Sequence, residues 1–327
     1  MSVSTATIRP NNDAIDAKVV IGLYTWIVGG FTLALMISVA VLGAPNEAAA
    51  AVIMLLAVGL IGLPHGAFDY EVARRTLAPR VGRAWWVFFG SAYVALALVG
   101  FGIWVTVPLV GLVVLLVGGS LHWGVDDLGE YGGSGVSRLW IGASRGAIPV
   151  AAPMVFHPMA VAEVFTSLLG NMPVSTELVR VCSICWIAAA LPGLVVSVWP
   201  RRAMSLESCV RHALEPVVLV LWFAVVPPIL AFTVYFCLWH SVRHSLRSAL
   251  DVPASPRIWY ALSQYARAVA VPTVLTWVLA AVAAVVLIQS SGFAEISWKI
   301  TFIGLFALTI PHVLLDLLEL RVVAGEV

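Results

Sequence analysis

Five histidines stand in apolar surroundings where ionisable side chains are costly and therefore mark function. They are His65 in Leu63-Pro64-His65-Gly66-Ala67-Phe68-Asp69, His122 in Leu121-His122-Trp123-Gly124-Val125-Asp126-Asp127, His240 and His244 in Phe236-Cys237-Leu238-Trp239-His240-Ser241-Val242-Arg243-His244, and His312 in Ile310-Pro311-His312-Val313-Leu314-Leu315-Asp316. His240 and His244 are four apart, which on a helix puts both imidazoles on one face about one turn from each other. That is half of a metal site. His65 and Asp69, His122 and Asp126, and His312 and Asp316 repeat the same spacing. A metal-ligating imidazole passes its second N–H to a carboxylate or carbonyl, which sets the tautomer and aims the ring. Each aspartate is thus expected to serve its own or a neighbouring helix's histidine, and Asp69 and Asp126 could alternatively be ligands. His157 and His212 read as polar residues in or near connections.

The chain around these motifs is 61% hydrophobic and only 11% charged over 327 residues, against about 25% charged in soluble domains. Its repeated long apolar runs describe an all-α, polytopic integral membrane helix bundle; a barrel would show short alternating segments. A polar tail over 1–18 precedes a single transmembrane domain at 19–322 and a short tail at 323–327. About ten spans are expected, at 19–43, 48–70, 84–104, 107–127, 139–158, 178–199, 213–227, 228–250, 268–290 and 299–322, with a loop over 158–177. The stretch 213–250 exceeds what one crossing of a ~30 Å hydrocarbon core needs, and Pro227-Pro228 divides it. The first span reads as an uncleaved anchor, because the polar tail lacks the features of a signal peptide. Cys182 and Cys185, a lone C-x-x-C pair, read as small buried packing residues.

Lys and Arg fall almost wholly on one side of this arrangement: Arg9, Lys18, Arg74, Arg75, Arg80, Arg83, Arg138, Arg201, Arg202, Arg211, Arg243, Arg247, Arg257, Arg267 and Arg321 against Arg180 and Lys299. The positive-inside rule then puts both termini in the cytoplasm. Each histidine-bearing span runs from outside to inside, so the metal site lies in the cytoplasmic half of a multi-pass protein of the cell membrane. Arg243 is expected to snorkel to the headgroups rather than meet Asp127 or Glu71. Nothing in the charge pattern points to nucleic acid.

An imidazole set with few thiols suits Fe(II), Zn or Cu. Zinc hydrolysis wants a polar substrate, whereas Phe68, Tyr70, Trp123, Tyr235, Phe236 and Trp239 offer an aromatic wall for a flat apolar molecule entering from the bilayer. Residues alone therefore lead to a membrane-embedded metal site, best suited to iron with O2, acting on a lipid-soluble substrate. Taken in order, Pro64-His65-Gly66-Ala67-Phe68-Asp69, His122-Trp123-Gly124 with Asp126 or Asp127, His240-Ser241-Val242-Arg243-His244 and Pro311-His312 resemble the Brp/Blh family of β-carotene 15,15′-dioxygenases over about residues 50–320. The resemblance implies Fe(2+)- and O2-dependent cleavage of the central double bond of β-carotene into two molecules of all-trans-retinal, which serves microbial rhodopsins. It implies metal ligation by His65, His122, His240 and His244, with His312 in a further family motif. Asp69, Asp126 and His312 complete the expected catalytic set.

Three other readings fit less of the chain. Two-iron membrane desaturases and hydroxylases use more histidines than the seven present. A His–Asp relay transporter would space ionisable groups through the whole membrane thickness, whereas here they crowd towards one side. A rhodopsin needs a buried Schiff-base lysine, and Lys18 and Lys299 both sit at span edges.

Overall fold

A computed structural model describes residues 17–129, 135–199, 204–250, 258–287 and 293–323, and all secondary structure in these residues is helical. Both tails, and the connections carrying Arg201, Arg202 and Arg257, fall outside them. The first helices are α1 (Ala17–Leu42), α2 (Glu47–Ala57), α3 (Leu63–Ala67), α4 (Asp69–Val81), α5 (Trp85–Thr106) and α6 (Pro108–Asp127). Next come α7 (Gly135–Gly146), α8 (Ile148–Phe156), α9 (Pro158–Leu168), α10 (Thr176–Val198) and α11 (Leu206–Val225). The chain closes with α12 (Pro228–Val234), α13 (Val242–Leu250), α14 (Ile258–Leu287) and α15 (Phe293–Val323). Two π-helical segments interrupt this pattern, Val58–Gly62 before α3 and Tyr235–Ser241 between α12 and α13.

Local chemistry sets these boundaries. Asn46, Ser175 and Ser205 each cap a helix, accepting hydrogen bonds from the amides of Ala49, Leu178 and Ser208, donors the helix itself leaves orphaned. Proline opens α6, α9 and α12, where a missing N–H costs nothing. The chain breaks at Pro227-Pro228 as expected, with α11 ending at Val225 and α12 starting at Pro228.

Among the described residues, 7 helical stretches are long and apolar enough to cross a membrane, including a 60-residue run, Glu47–Thr106. That run is far longer than the ~20 residues of one crossing, and the chain turns within it at Gly82, where φ is +69°. The protein is a polytopic membrane bundle, its helices presenting exposed Leu23, Ile27, Val94, Leu98, Val181 and Ile184 to lipid. Two expectations need correction. Residues 158–168 are helical rather than loop. Cys182 and Cys185 are exposed on α10 rather than buried, because their helix is buried along the stripe of Val179, Ser183, Ala190 and Gly193 instead.

The tightest contact between helices is made by glycine. A Cβ on Gly124 of α6 would lie 1.8 Å from the carbonyl oxygen of Gly142 on α7, and one on Gly146 would lie 1.8 Å from that of Ser120. Without a hydrophobic driving force between helices in lipid, such close backbone approach carries the packing. It also holds the segment bearing His122 against the bundle. Gly124→Val is expected to cost about 3 kcal/mol, the upper end for overpacking, read as loss of monodisperse protein in detergent and a lowered Tm. Gly102→Ala, where a Cβ meets nothing within 4 Å, is expected to leave both within error of the parent.

Candidate metal centre

Five segments bring one imidazole each to a common point. His65 comes from α3, His122 from α6, His240 from the second π-helical segment, His244 from α13 and His312 from α15. The ring centroids of His122 and His312 are 4.9 Å apart, those of His122 and His240 5.3 Å, and those of His65 5.4, 5.5 and 5.4 Å from His240, His244 and His312. His240 and His244 lie 6.2 Å apart, as one helical turn requires.

The π-helical segments account for much of this convergence. Each lies at or just before a site histidine, and the two abut: a Cβ on Gly62 would meet the Phe236 ring at 2.7 Å. A π-helical turn shifts the faces that follow it and is a frequent mark of functional positions. On the far side of the imidazoles, Phe236 packs 5.6 Å from His65 and Trp123 6.3 Å from His240.

Every one of the five rings turns its Nδ1 edge to a protein oxygen. His65 Nδ1 donates to the Gly62 carbonyl. His312 Nδ1 is 2.7 Å from Asp69 Oδ1, and Tyr93 donates to the other oxygen of Asp69 at 2.9 Å. His122 Nδ1 faces Asp316 at 3.8 Å, and His244 Nδ1 faces Asp126 at 3.4 Å. His240 Nδ1 lies 3.7 Å from both Asp126 and Asp127. Two of the i, i+4 aspartates therefore serve neighbouring segments, Asp69 serving α15 and Asp126 serving α13 and the π-helical segment, whereas Asp316 lies between His122 Nδ1 of α6 and Nε2 of its own His312 at 3.7 Å. Rings converging on one centre expose their flanks to the adjacent helix, so the adjacent helix supplies the carboxylate.

This arrangement fits a bound metal. Buried Nε2 atoms of His122, His240 and His312 have no hydrogen-bond partner, a state that buried polar atoms rarely tolerate without one. Donor atoms of His65, His122 and His240 lie within 4.8 Å of one another, as do those of His122, His312 and Asp316. An oxygen beside Nδ1 is the arrangement a ligating imidazole has; it is hydrogen-bonded at His65 and His312, and at His240 and His244 the Nδ1 faces a carboxylate without a hydrogen bond.

A cavity of about 940 Å³ opens on the centre, lined there by His122, His244, Asp126 and Asp316. Its apolar wall comprises Leu115, Gly118, Leu121, Phe306, Ile310 and Val313. None of the six aromatic residues expected to form a tunnel lines it. Phe68 stacks on Tyr265, Tyr70 packs on Trp85, and Trp239 donates to Thr32 at 3.0 Å. The aromatic side chains next to the motifs are used for packing, while the apolar wall is aliphatic apart from Phe306.

Beside the centre lies a buried set of charges. Arg243 is 2% exposed and pairs with Glu215 at 2.9 Å and Asp127 at 3.0 Å; it does not snorkel, because two carboxylates hold it inside. Arg145 pairs with Glu215 at 3.5 Å and donates to the His212 carbonyl at 3.1 Å. His212 is itself buried within α11, rather than in a connection, its Nδ1 2.9 Å from Ser208 O. His157 joins α8 to α9 and is not among the rings of the centre. Glu215 and Arg145 were readable as ionisable groups inside apolar spans; Tyr93, a lone hydroxyl in an apolar helix, had no such signal.

The β-carotene 15,15′-dioxygenase family model matches residues 56–318. A probable β-carotene 15,15′-dioxygenase Blh of Halobacterium salinarum is 30% identical over 218 residues, covering 61% of this chain and 62% of that protein. A β-carotene 15,15′-dioxygenase from an uncultured marine bacterium is 26% identical over 268 residues, covering 80% of this chain and 90% of that protein. A probable β-carotene 15,15′-dioxygenase Brp of Halobacterium salinarum is 28% identical over 217 residues, 60% of this chain and 58% of that protein. No solved structure matches. The matched residues take in all five histidines and the carboxylates that face them, and by that match this chain belongs to the β-carotene 15,15′-dioxygenase family.

Proposed function

We propose that this protein cleaves the central 15,15′ double bond of β-carotene, with Fe(2+) and O2, into two molecules of all-trans-retinal. The carrying observation is the set of five converged imidazoles, each with its Nδ1 edge turned to a protein oxygen and with buried Nε2 atoms left unpartnered. His65, His122, His240 and His244 hold the metal, and His312 presents its Nε2 to the same centre. Iron(II) bound there supplies the activation of O2, for which no side chain of this protein is competent. Asp69, held by Tyr93, fixes the tautomer of His312; Asp126, paired with Arg247 at 3.1 Å, does the same for His244. Membrane burial and the packed Trp123 and Phe236 keep bulk water from the rings.

The polyene occupies the cavity beside α6. Its lining on that helix runs from Val114 to Asp127, about 20 Å of helical rise, with His122 just past the middle. Selection of the central bond is then a matter of register: how far the molecule slides before its end meets a wall decides which bond faces the imidazoles. The substrate enters from the bilayer and the product leaves to a retinal-binding protein such as a microbial rhodopsin. The site belongs to the cytoplasmic half of the cell membrane on the distribution of arginines.

Expression in cells that accumulate β-carotene is expected to bleach them and yield retinal on chromatography. His240→Ala is expected to abolish both retinal and bound iron, whereas His157→Ala keeps both. Unchanged β-carotene with iron-loaded protein would mean another lipid substrate for the same centre. Gly118 lines the cavity and a Cβ there meets nothing within 4 Å. Gly118→Phe is therefore expected to fill that space, lowering turnover of β-carotene by about tenfold or more, about 1.4 kcal/mol in the barrier, with iron content unchanged; full activity in that variant would place the polyene elsewhere.

A further inference from the structure

Asp127 and its partners take no part in the function just described, yet they meet the centre at one atom. His240 is 0% exposed, and its Nδ1 edge faces two carboxylates at 3.7 Å. These carboxylates differ in how they are held. Asp126 is shared among His240, His244 and Arg247. Asp127 is clamped from two sides: Tyr235 donates to its Oδ2 at 3.1 Å, and Arg243 sits 3.0 Å from its Oδ1, the same oxygen that faces His240. Arg243 is fixed in turn by Glu215, by a hydrogen bond to the Trp239 carbonyl and by the Trp239 ring 5.4 Å below it. Arg145 completes the set on Glu215. Two arginines and two carboxylates from α6, α7, α11 and α13 thus form a neutral, buried quartet whose one outlet towards the imidazoles is Asp127.

A quartet serving stability alone would have no need to end beside a ring nitrogen. Ion pairs withdrawn from solvent are poor sources of stability, since desolvation offsets most of their attraction; fixed geometry is what they provide. Resting on the metal-centre reading above, we propose that Asp127 is a positioning residue for His240: locked by Arg243 and Tyr235, it holds the His240 ring with Nδ1–H towards the carboxylate and Nε2 towards the metal. Carboxylates in this role change metal affinity by about 10–100-fold when removed.

The test uses the full-length protein in detergent, stripped of metal and titrated with Co(II) against a chelator, with the visible ligand-field spectrum as a second readout. Asp127→Asn is expected to weaken Co(II) binding about 10–100-fold and shift the spectrum; Tyr235→Phe, which frees one side of the clamp, is expected to shift it in the same direction by less. Glu215→Gln removes a charge from the same quartet but reaches Asp127 only through Arg243, and is expected to lower Tm and to shift the spectrum less than either Asp127→Asn or Tyr235→Phe. Should Asp127→Asn not fold, Tyr235→Phe against Glu215→Gln decides. Wild-type affinity and spectrum in the Asp127 and Tyr235 variants, or an equal spectral change in Glu215→Gln, would overturn the positioning role. Failure of the wild type to bind Co(II) would instead overturn the metal centre itself.

Discussion

Five imidazoles, each with at least two of the others within about 6 Å inside an apolar bundle, impose one demand on everything around them: each ring has two nitrogens, and the outward one must find an oxygen in a place without water. Two rings meet it with a hydrogen bond, His65 to a backbone carbonyl and His312 to Asp69, while His122, His240 and His244 turn the same edge towards carboxylates of neighbouring segments at 3.8, 3.7 and 3.4 Å. With these edges turned outward, the Nε2 atoms of His122, His240 and His312 are left inside without a hydrogen-bond partner. The centre is thus assembled from outside inward. The carboxylates select ring orientation, and ring orientation makes a metal-sized gathering of donors.

Carboxylates placed in this way create a second demand, because each is itself a charge removed from solvent. Asp69 is answered by His312 and the Tyr93 hydroxyl, Asp126 by Arg247, and Asp127 by Arg243 and Tyr235. The charges are therefore nested: histidines require carboxylates, and carboxylates require arginines one layer further out. Arg243 follows this logic rather than that of a long cationic side chain seeking headgroups. A snorkelling arginine would leave Asp127 buried with no arginine beside it and Glu215 with Arg145 alone, which costs more than desolvating the guanidinium among them.

Helix packing supplies what side-chain chemistry alone does not. Glycines at 124, 142 and 146 bring α6 and α7 to backbone contact, which holds α6 firmly enough for His122 and both of its aspartates to be aimed. The π-helical segments lie just before His65 and around His240, where such a turn shifts the helix faces that follow it. On the remaining side the bundle is open, and the cavity follows α6 between apolar walls up to His122, beyond which Asp126, Asp127, Arg138, Arg211, Glu215 and Arg247 line it. A rigid floor and an open aliphatic flank suit a long hydrocarbon that needs to be placed along its length.

How much of this was legible beforehand follows from the range of each interaction. Composition determined a membrane helix bundle, because apolar runs near 20 residues have few other solutions; prolines and capping residues marked most breaks, and histidines in apolar runs marked the centre. Spacing put each aspartate on the face of its own histidine, and so pointed to carboxylate partners without saying whose. Which helix received which carboxylate was decided only by the bundle, since that depends on which flanks are adjacent after packing. The same holds for Arg243, for buried His212, and for aromatic residues that pack rather than line a tunnel. Periodicity assigns a residue to a face, but what that face meets is a property of three dimensions: adjacency across helices is settled by close packing at glycines and by the pairing of charges that have no other place to go.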